Sequence, residues 1–317
     1  MRTVLLGPQR FRTTVGATVR SLEVDGPIAT VTAGWQDREH DDDELRQVLD
    51  GRAVNLGLHG RLTDVLESDP RFAAAALTHR DRIDELAGIY SLRLQRALDA
   101  VYAVQRRPLR PDLAAAALAD GVREVRAIDA WYLHVVDQLH AELLSEAPPG
   151  ESEAVQRHRA EVAETLAGAG ALALAGGHVG MLLRCLRLFD VVPPPSLPVV
   201  AWSAGAMALT DRVVLYHDRG PSGLVGSEVW DRGLGRAPGI LALPHARRRL
   251  RMEDPMVLRV LALRFGGARC LLLDDGARVD LAPDGGLPPT ARVIGEDGLV
   301  HTLEEPGQDH AVSGDAS

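Results

Sequence analysis

The sequence predicts an α/β fold, a doubly wound and mostly parallel sheet interrupted by an all-helical insertion. Three observations carry that expectation. Short apolar, β-branched runs recur near both ends of the chain and stop at glycine or serine, as buried parallel strands do. Helical stretches separate these runs. Between residues 80 and 166 the runs vanish, and apolar residues recur every three or four positions instead.

The first region, residues 1–79, is the N-terminal part of the α/β domain. Residues 3–6 and 28–32 read as strands ended by Gly7 and Gly34, and residues 53–58 as a third. Residues 41–49 read as a helix with an acidic first turn. The acidic stretch 39–44 has His40 inside it but not the alternating spacing of a calcium loop, so a helix start is the better reading.

The second region, residues 80–166, is the helical insertion or subdomain. Ile83, Leu86, Tyr90, Leu94, Ala97, Val101 and Val104 share one helix face. Pro108 and Pro111 bracket a break, and Asp112 is expected to cap a second helix running through Val122, Tyr132 and Leu143. After Pro148, Pro149 and Gly150 a third helix is expected from Ser152.

The third region, residues 167–303, returns to strand–turn–helix alternation. Residues 171–175 form a strand ending in Gly176-Gly177-His178, and a helix follows over 180–188. Residues 197–202 form a strand that runs straight into Ser203-Ala204-Gly205-Ala206. Residues 213–216, 239–243, 270–273 and 277–281 are further strands, and 304–317 is expected to be a disordered tail.

Bulk properties narrow the function. The 317 residues carry a net charge of −9, which argues against a nucleic-acid binder. Two cysteines allow no disulfide framework and no four-cysteine zinc site, and the histidines form no His-Glu-x-x-His pattern. The opening apolar stretch is too short for a signal peptide, and no run approaches the roughly 20 apolar residues that span a bilayer. A cytoplasmic protein without membrane partner, metal or organic cofactor is expected.

Chemistry concentrates at Ser203. In parallel sheets sites lie at the carboxyl ends of strands, and both Gly176-Gly177 and Ser203 fall there. Ala201-Trp202-Ser203-Ala204-Gly205 matches the Gly-x-Ser-x-Gly elbow with Ala for the first Gly. At the helix start the N–H of Ala204 is one oxyanion donor, and the Gly-Gly turn can bring that of Gly177 close. The alternative is that Ser203 merely caps the helix. For the general base, His245 follows a strand and comes after the nucleophile in chain order; His217 is the rival. The orienting acid is Asp275 or Asp218, and the residues leave that choice open. Arg247 and Arg249, beside the base, suit a substrate carboxylate, or else pair with Glu253 and Asp254.

Trp202-Ser203-Ala204-Gly205-Ala206, the Gly176-Gly177 loop, and Leu243-Pro244-His245 followed by Arg247 to Arg249 resemble the S51 serine peptidases over roughly residues 170–282. That family includes aspartyl dipeptidase and cyanophycinase and has the class I glutamine amidotransferase-like fold. The resemblance implies Ser203 as nucleophile, His245 as base, and Gly177 and Ala204 as oxyanion donors. It offers Asp275 or Asp218 as the acid. Three features depart from the pattern: His178 where Asn is usual, Asp275 where Glu is common, and the helices at 80–166. The function expected is therefore peptidase cleavage of a small peptide or isopeptide, with esterase chemistry on the same machinery as a variant and a homo-oligomer as a possible state. The alternative is an inactive scaffold that binds a partner protein through its helical insertion.

Overall fold

In chain order, the computed structural model contains β1 (Thr3–Leu6), α1 (Val15–Ser21), β2 (Ile28–Val31), α2 (Asp43–Val48), β3 (Ala53–Asn55) and α3 (Leu58–Ser68). Next come α4 (Pro70–Gln105), α5 (Pro111–Glu146), α6 (Glu153–Ala167), β4 (Ala171–Leu174), α7 (Val179–Leu188), β5 (Val199–Trp202) and α8 (Ala204–Ala208). The chain finishes with β6 (Arg212–Tyr216), β7 (Ser227–Arg232), β8 (Ile240–Pro244), α9 (Ala246–Arg249), α10 (Pro255–Arg264), β9 (Arg269–Leu273), β10 (Arg278–Leu281), β11 (Arg292–Ile294) and β12 (Val300–Thr302). The structure describes residues 2–216 and 226–303. The expectations for the tail at 304–317, for His217 and for Asp218 lie outside the described residues.

The central sheet has the order β10-β1-β5-β4-β2-β3, parallel except for β10 against β1. Its strands are apolar on both faces because helices cover both. Val4, Leu6, Ile28 and Trp202 pack with Val15 and Val19 of α1, Leu45 of α2 and Leu49 just after it. The alternate residues Leu5, Val31, Leu172 and Val199 pack with α3, α7 and α8 on the other side. The expected mixed α/β architecture, with a mainly parallel central sheet and a long helical region, is thus present.

The remaining strands do not extend it. β8 and β9 run parallel in a second sheet of order β12-β11-β9-β8, and β6 and β7 form an antiparallel ribbon. Local apolar pattern marks a strand but not its partner, so the sequence could not separate the two sheets.

The helical region covers this second layer. α4 and α5 each run 36 residues, about 54 Å at 1.5 Å per residue. Leu94, Val101, Val125 and Val136 share a core with Leu241, Leu243, Leu261 and Leu272. Tyr90 and Tyr132 stack at 4.1 Å between ring centroids. Asp129 of α5 binds Arg264 of α10 at 2.6 Å, with their side chains 5% and 2% exposed, and Tyr90 Oη donates to Asp129 and accepts from Arg264. A second polar link joins His79 of α4, His140 of α5, Asp231 of β7 and Arg187 of α7. Burial and the neighbouring His140 hold the His79 imidazole down at about 4.

Helix boundaries follow their caps. α4 starts ten residues before the expected region, because the Asp69 side chain accepts from Phe72 N at 2.9 Å and Pro70 takes the first turn. Asp112 is not the cap of α5; Pro111 begins that helix and Asp112 lies inside its first turn. The third helix is present as α6, and Ser152, where it was expected to begin, is its cap. The acidic stretch does lead into α2, but Glu39 is buried and its carboxylate accepts from His59 N and Gly60 N at 3.0 and 2.9 Å, capping α3. Among the described residues, no helix is long and apolar enough to cross a membrane.

Candidate active site

Ser203 stands between β5 and α8 with φ 52° and ψ −119°. A non-glycine residue takes that conformation only where its surroundings enforce it. Here the enforcement is visible on both sides. Ser203 N donates to Leu6 O, and Ser203 O accepts from Met207 N at 3.1 Å to open α8. Gly205 lets α8 lie against β4, because a Cβ there would stand 2.3 Å from Leu174 O.

The Gly176-Gly177 loop at the end of β4 passes beside the serine. A Cβ on Gly176 would come within 2.9 Å of Ser203 Cβ. Gly177 has φ +117°, and a Cβ on it would strike Gly34 O at 2.3 Å. Only glycine fits that crossing. The N–H groups of Gly177 and Ala204 donate to no protein acceptor among the described residues. His178 turns away from the serine: its Nδ1 accepts from Met181 N at 3.0 Å and caps α7.

His245 arrives from the second sheet. It follows Pro244 at the end of β8 with φ 59°, and its Nε2 lies 3.5 Å from Ser203 Oγ. Its N–H donates to Leu273 O at 3.1 Å, its carbonyl accepts from Arg248 and Arg249, and Tyr216 Oη donates to the adjacent Pro244 carbonyl. Burial and the Arg249 charge, with Arg248 adding, hold its imidazole below the ordinary histidine value against the opposing pull of Asp275 and Asp274. The lowering favours the neutral imidazole, the form able to accept a proton.

Asp275 is exposed in the turn joining β9 to β10 and acts on His245 through its charge. Its neighbour Asp274 is more enclosed. Asp274 Oδ1 accepts from Arg247 N at 2.9 Å, while Oδ2, 3.5 Å from Arg247 Nε, makes no hydrogen bond.

Ser203 and His245 open into a cleft of about 700 Å³ over the carboxyl ends of β1, β5, β4 and β2. Gly176 and Gly177 line it, as do Trp35 and Trp202. Arg249 is in its wall as expected, joined by Arg248 and by Arg10 from the loop after β1. Arg247 is instead turned to Asp274. Sequence reasoning missed Gln9, Arg10, Trp35 and Glu44 as cleft residues, whereas Arg248 belongs to the basic run it had singled out. The signal was available: the loops after β1 and β2 also lie at carboxyl strand ends, where sites gather. Gln9 shapes the first loop, accepting from Thr14 N and Val15 N at 2.7 and 2.9 Å and donating to Gly7 O at 2.8 Å.

Among the described residues, no group of three or more His, Cys, Asp or Glu side chains is placed to hold a metal ion. No protein-family model matches the chain, and no curated protein sequence matches it.

Proposed function

We propose that the chain is a serine hydrolase of the S51 peptidase type, on a class I glutamine amidotransferase-like fold, cleaving a small peptide or isopeptide amide. The observation that carries this is Ser203, strained at a strand–helix elbow, facing His245 across 3.5 Å at the floor of an open cleft. That separation is at the long end of hydrogen bonding, as is common before a substrate closes the site. With Nδ1 protonated, Nε2 is free to act as base.

In the proposed reaction Ser203 Oγ bonds to the carbonyl carbon and its proton passes to His245 Nε2. The tetrahedral oxyanion receives the N–H groups of Gly177 and Ala204. The C–N bond breaks as the imidazolium returns the proton to the departing amine. Water, giving its proton to His245, then attacks the acyl carbon, and the bond to Ser203 Oγ breaks as the imidazolium returns that proton to the serine, releasing the acid. The charge of Asp275 stabilises the transient imidazolium. No metal or organic cofactor enters these steps, and the buried free thiols of Cys185 and Cys270 suit a reducing cytoplasm.

The scaffold reading calls for one large apolar patch on the helical region. The large apolar residues exposed on α4 and α5 are Leu77, Ile89, Leu92, Leu113 and Leu144, and single exposed apolar side chains are ordinary for a surface. Reaction with a fluorophosphonate probe tests the hydrolase reading. Labelling is expected for the wild type and lost in Ser203→Ala and His245→Ala. A folded wild type that does not label overturns it in favour of the scaffold.

A further inference from the structure

Among the described residues, three guanidinium groups line the cleft without a carboxylate partner: Arg10, Arg248 and Arg249. Arg10 and Arg248 both stand over the exposed Phe11 ring, at 5.5 and 5.2 Å from its centroid. Stacking fixes a guanidinium without neutralising it. In a chain of net charge −9, three uncompensated cations beside a nucleophile form a receptor for a carboxylate.

Chemistry decides which half of the substrate carries that carboxylate. The imidazole must protonate the departing amine, so the amine leaves on the His245 side. Arg248 and Arg249 follow His245 by three and four residues on α9. They therefore face the leaving group.

The acyl half lies over the opposite face of the central sheet, where α1 and α2 pack. There Trp35, Val15, Leu45 and Val48 give the cleft an apolar wall, and Glu44 and Asp41 add carboxylates to it. Asp41 is bridged to Arg38 at 3.0 Å. Glu44 has no basic partner among the described residues. An apolar wall, an indole and an uncompensated carboxylate suit a side chain with an apolar stem and a cationic head. An acidic side chain would meet Glu44 head-on, and an aliphatic one would desolvate it with nothing in return.

We propose that this site takes a short peptide with a lysine- or arginine-like side chain on the acyl residue and a free C-terminal carboxylate on the leaving residue. Specificity is set by Glu44 with Trp35 on one flank and by Arg248, Arg249 and Arg10 on the other. The inference rests on the serine-hydrolase reading for its polarity, since that reading defines the acyl and leaving sides.

Two measurements separate the inference from that reading. In the first, diphenyl aminoalkylphosphonates with lysine and norleucine side chains, nearly equal in size, compete to label Ser203. The lysine probe is expected to react at least tenfold faster, and Glu44→Gln to abolish that preference. In the second, the dipeptide Lys-Ala is titrated into the Ser203→Ala protein. Binding is expected to weaken at least tenfold when Glu44→Gln is added, and likewise for the C-terminal amide of the dipeptide. Equal labelling by the two probes, or a preference that survives Glu44→Gln, overturns the inference while leaving the hydrolase reading intact. Absent phosphonate labelling with Glu44-dependent Lys-Ala binding overturns the hydrolase reading and keeps the recognition. Lys-Ala binding that is absent, or indifferent to Glu44, overturns the inference whatever the probes do.

Discussion

Ser203 and His245 each hold a positive φ, 52° and 59°, that only glycine adopts freely. Such conformations cost about 1–3 kcal/mol apiece, and the hydrogen bonds of Leu6, Leu273 and Pro244 around them offset that cost. The same local charges that frame His245 set its working pH. Arg249 lowers its proton affinity and Asp275 raises it. A general base works when neutral, so the acid limb of kcat/KM follows the imidazole downward in pH when its affinity falls. Arg249→Met is expected to move that limb to higher pH, and Asp275→Asn to move it to lower pH. Shifts of opposite sign, a few tenths of a pH unit each, would appear in pH–rate profiles of a reporter ester or in probe-labelling rates. Shifts of one sign would mean that both residues act by position rather than charge. Ser203, His245 and Gly177 were legible in the sequence because small residues and strand ends announce an elbow. Arg10 and Trp35 were legible only as residues that follow strand ends; that they and Glu44 of α2 meet over the serine is decided by the sheet order.

At the scale of elements, the helical region was legible as helices but not as a wall of the second core. Heptad-like spacing shows that an apolar face exists, whereas its partners β6 to β9 lie far along the chain, beyond β4 and β5. The start of α4 was missed although Asp69-Pro70 is a capping signal, because the boundary was set at residue 80, near where the three-and-four apolar spacing begins at Ile83. β7, Ser-Glu-Val-Trp-Asp-Arg, escaped because its alternation is half polar, and its pairing with β6 decides it. What fixes α5 to α10 is the Asp129–Arg264 pair, buried to a few per cent with Tyr90 closing the network. Removing one member leaves the other charged and enclosed. Asp129→Ala is therefore expected to cost about 3–5 kcal/mol in urea unfolding. The Asp129→Leu, Arg264→Met double variant should recover most of that, because matched apolar groups need no partner. If the double variant is as unstable as the single, the pair is a net contributor and the argument from an orphaned charge is wrong.

At the scale of the molecule, the nucleophile and base sit on different sheets, so their 3.5 Å separation is set by how those sheets pack. The seam is made of small residues: Ala204, Ala206 and Ala208 of α8 share one core with Ala242 of β8 and with Leu271 and Leu273 of β9. Ala206 is fully buried and Ala242 is 2% exposed. Interiors are close-packed, so added methyl groups there push the elements apart rather than fill a void. Ala242→Val should thus separate β8 from α8 and carry His245 away from Ser203. The overpacking cost is about 1–3 kcal/mol, which a domain of this size survives. The effect on chemistry is larger, since a displacement of about 1 Å can cost about a hundredfold in rate. Ala76→Val provides the control: that position on α4 is equally enclosed, at 4% exposure, but it is not in the seam. Fluorophosphonate labelling should slow at least tenfold in Ala242→Val and stay near wild type in Ala76→Val, with similar losses in thermal stability. Equal labelling in the two variants would mean that the alignment of serine and histidine is governed by the loops, and that the seam between the sheets is only structural.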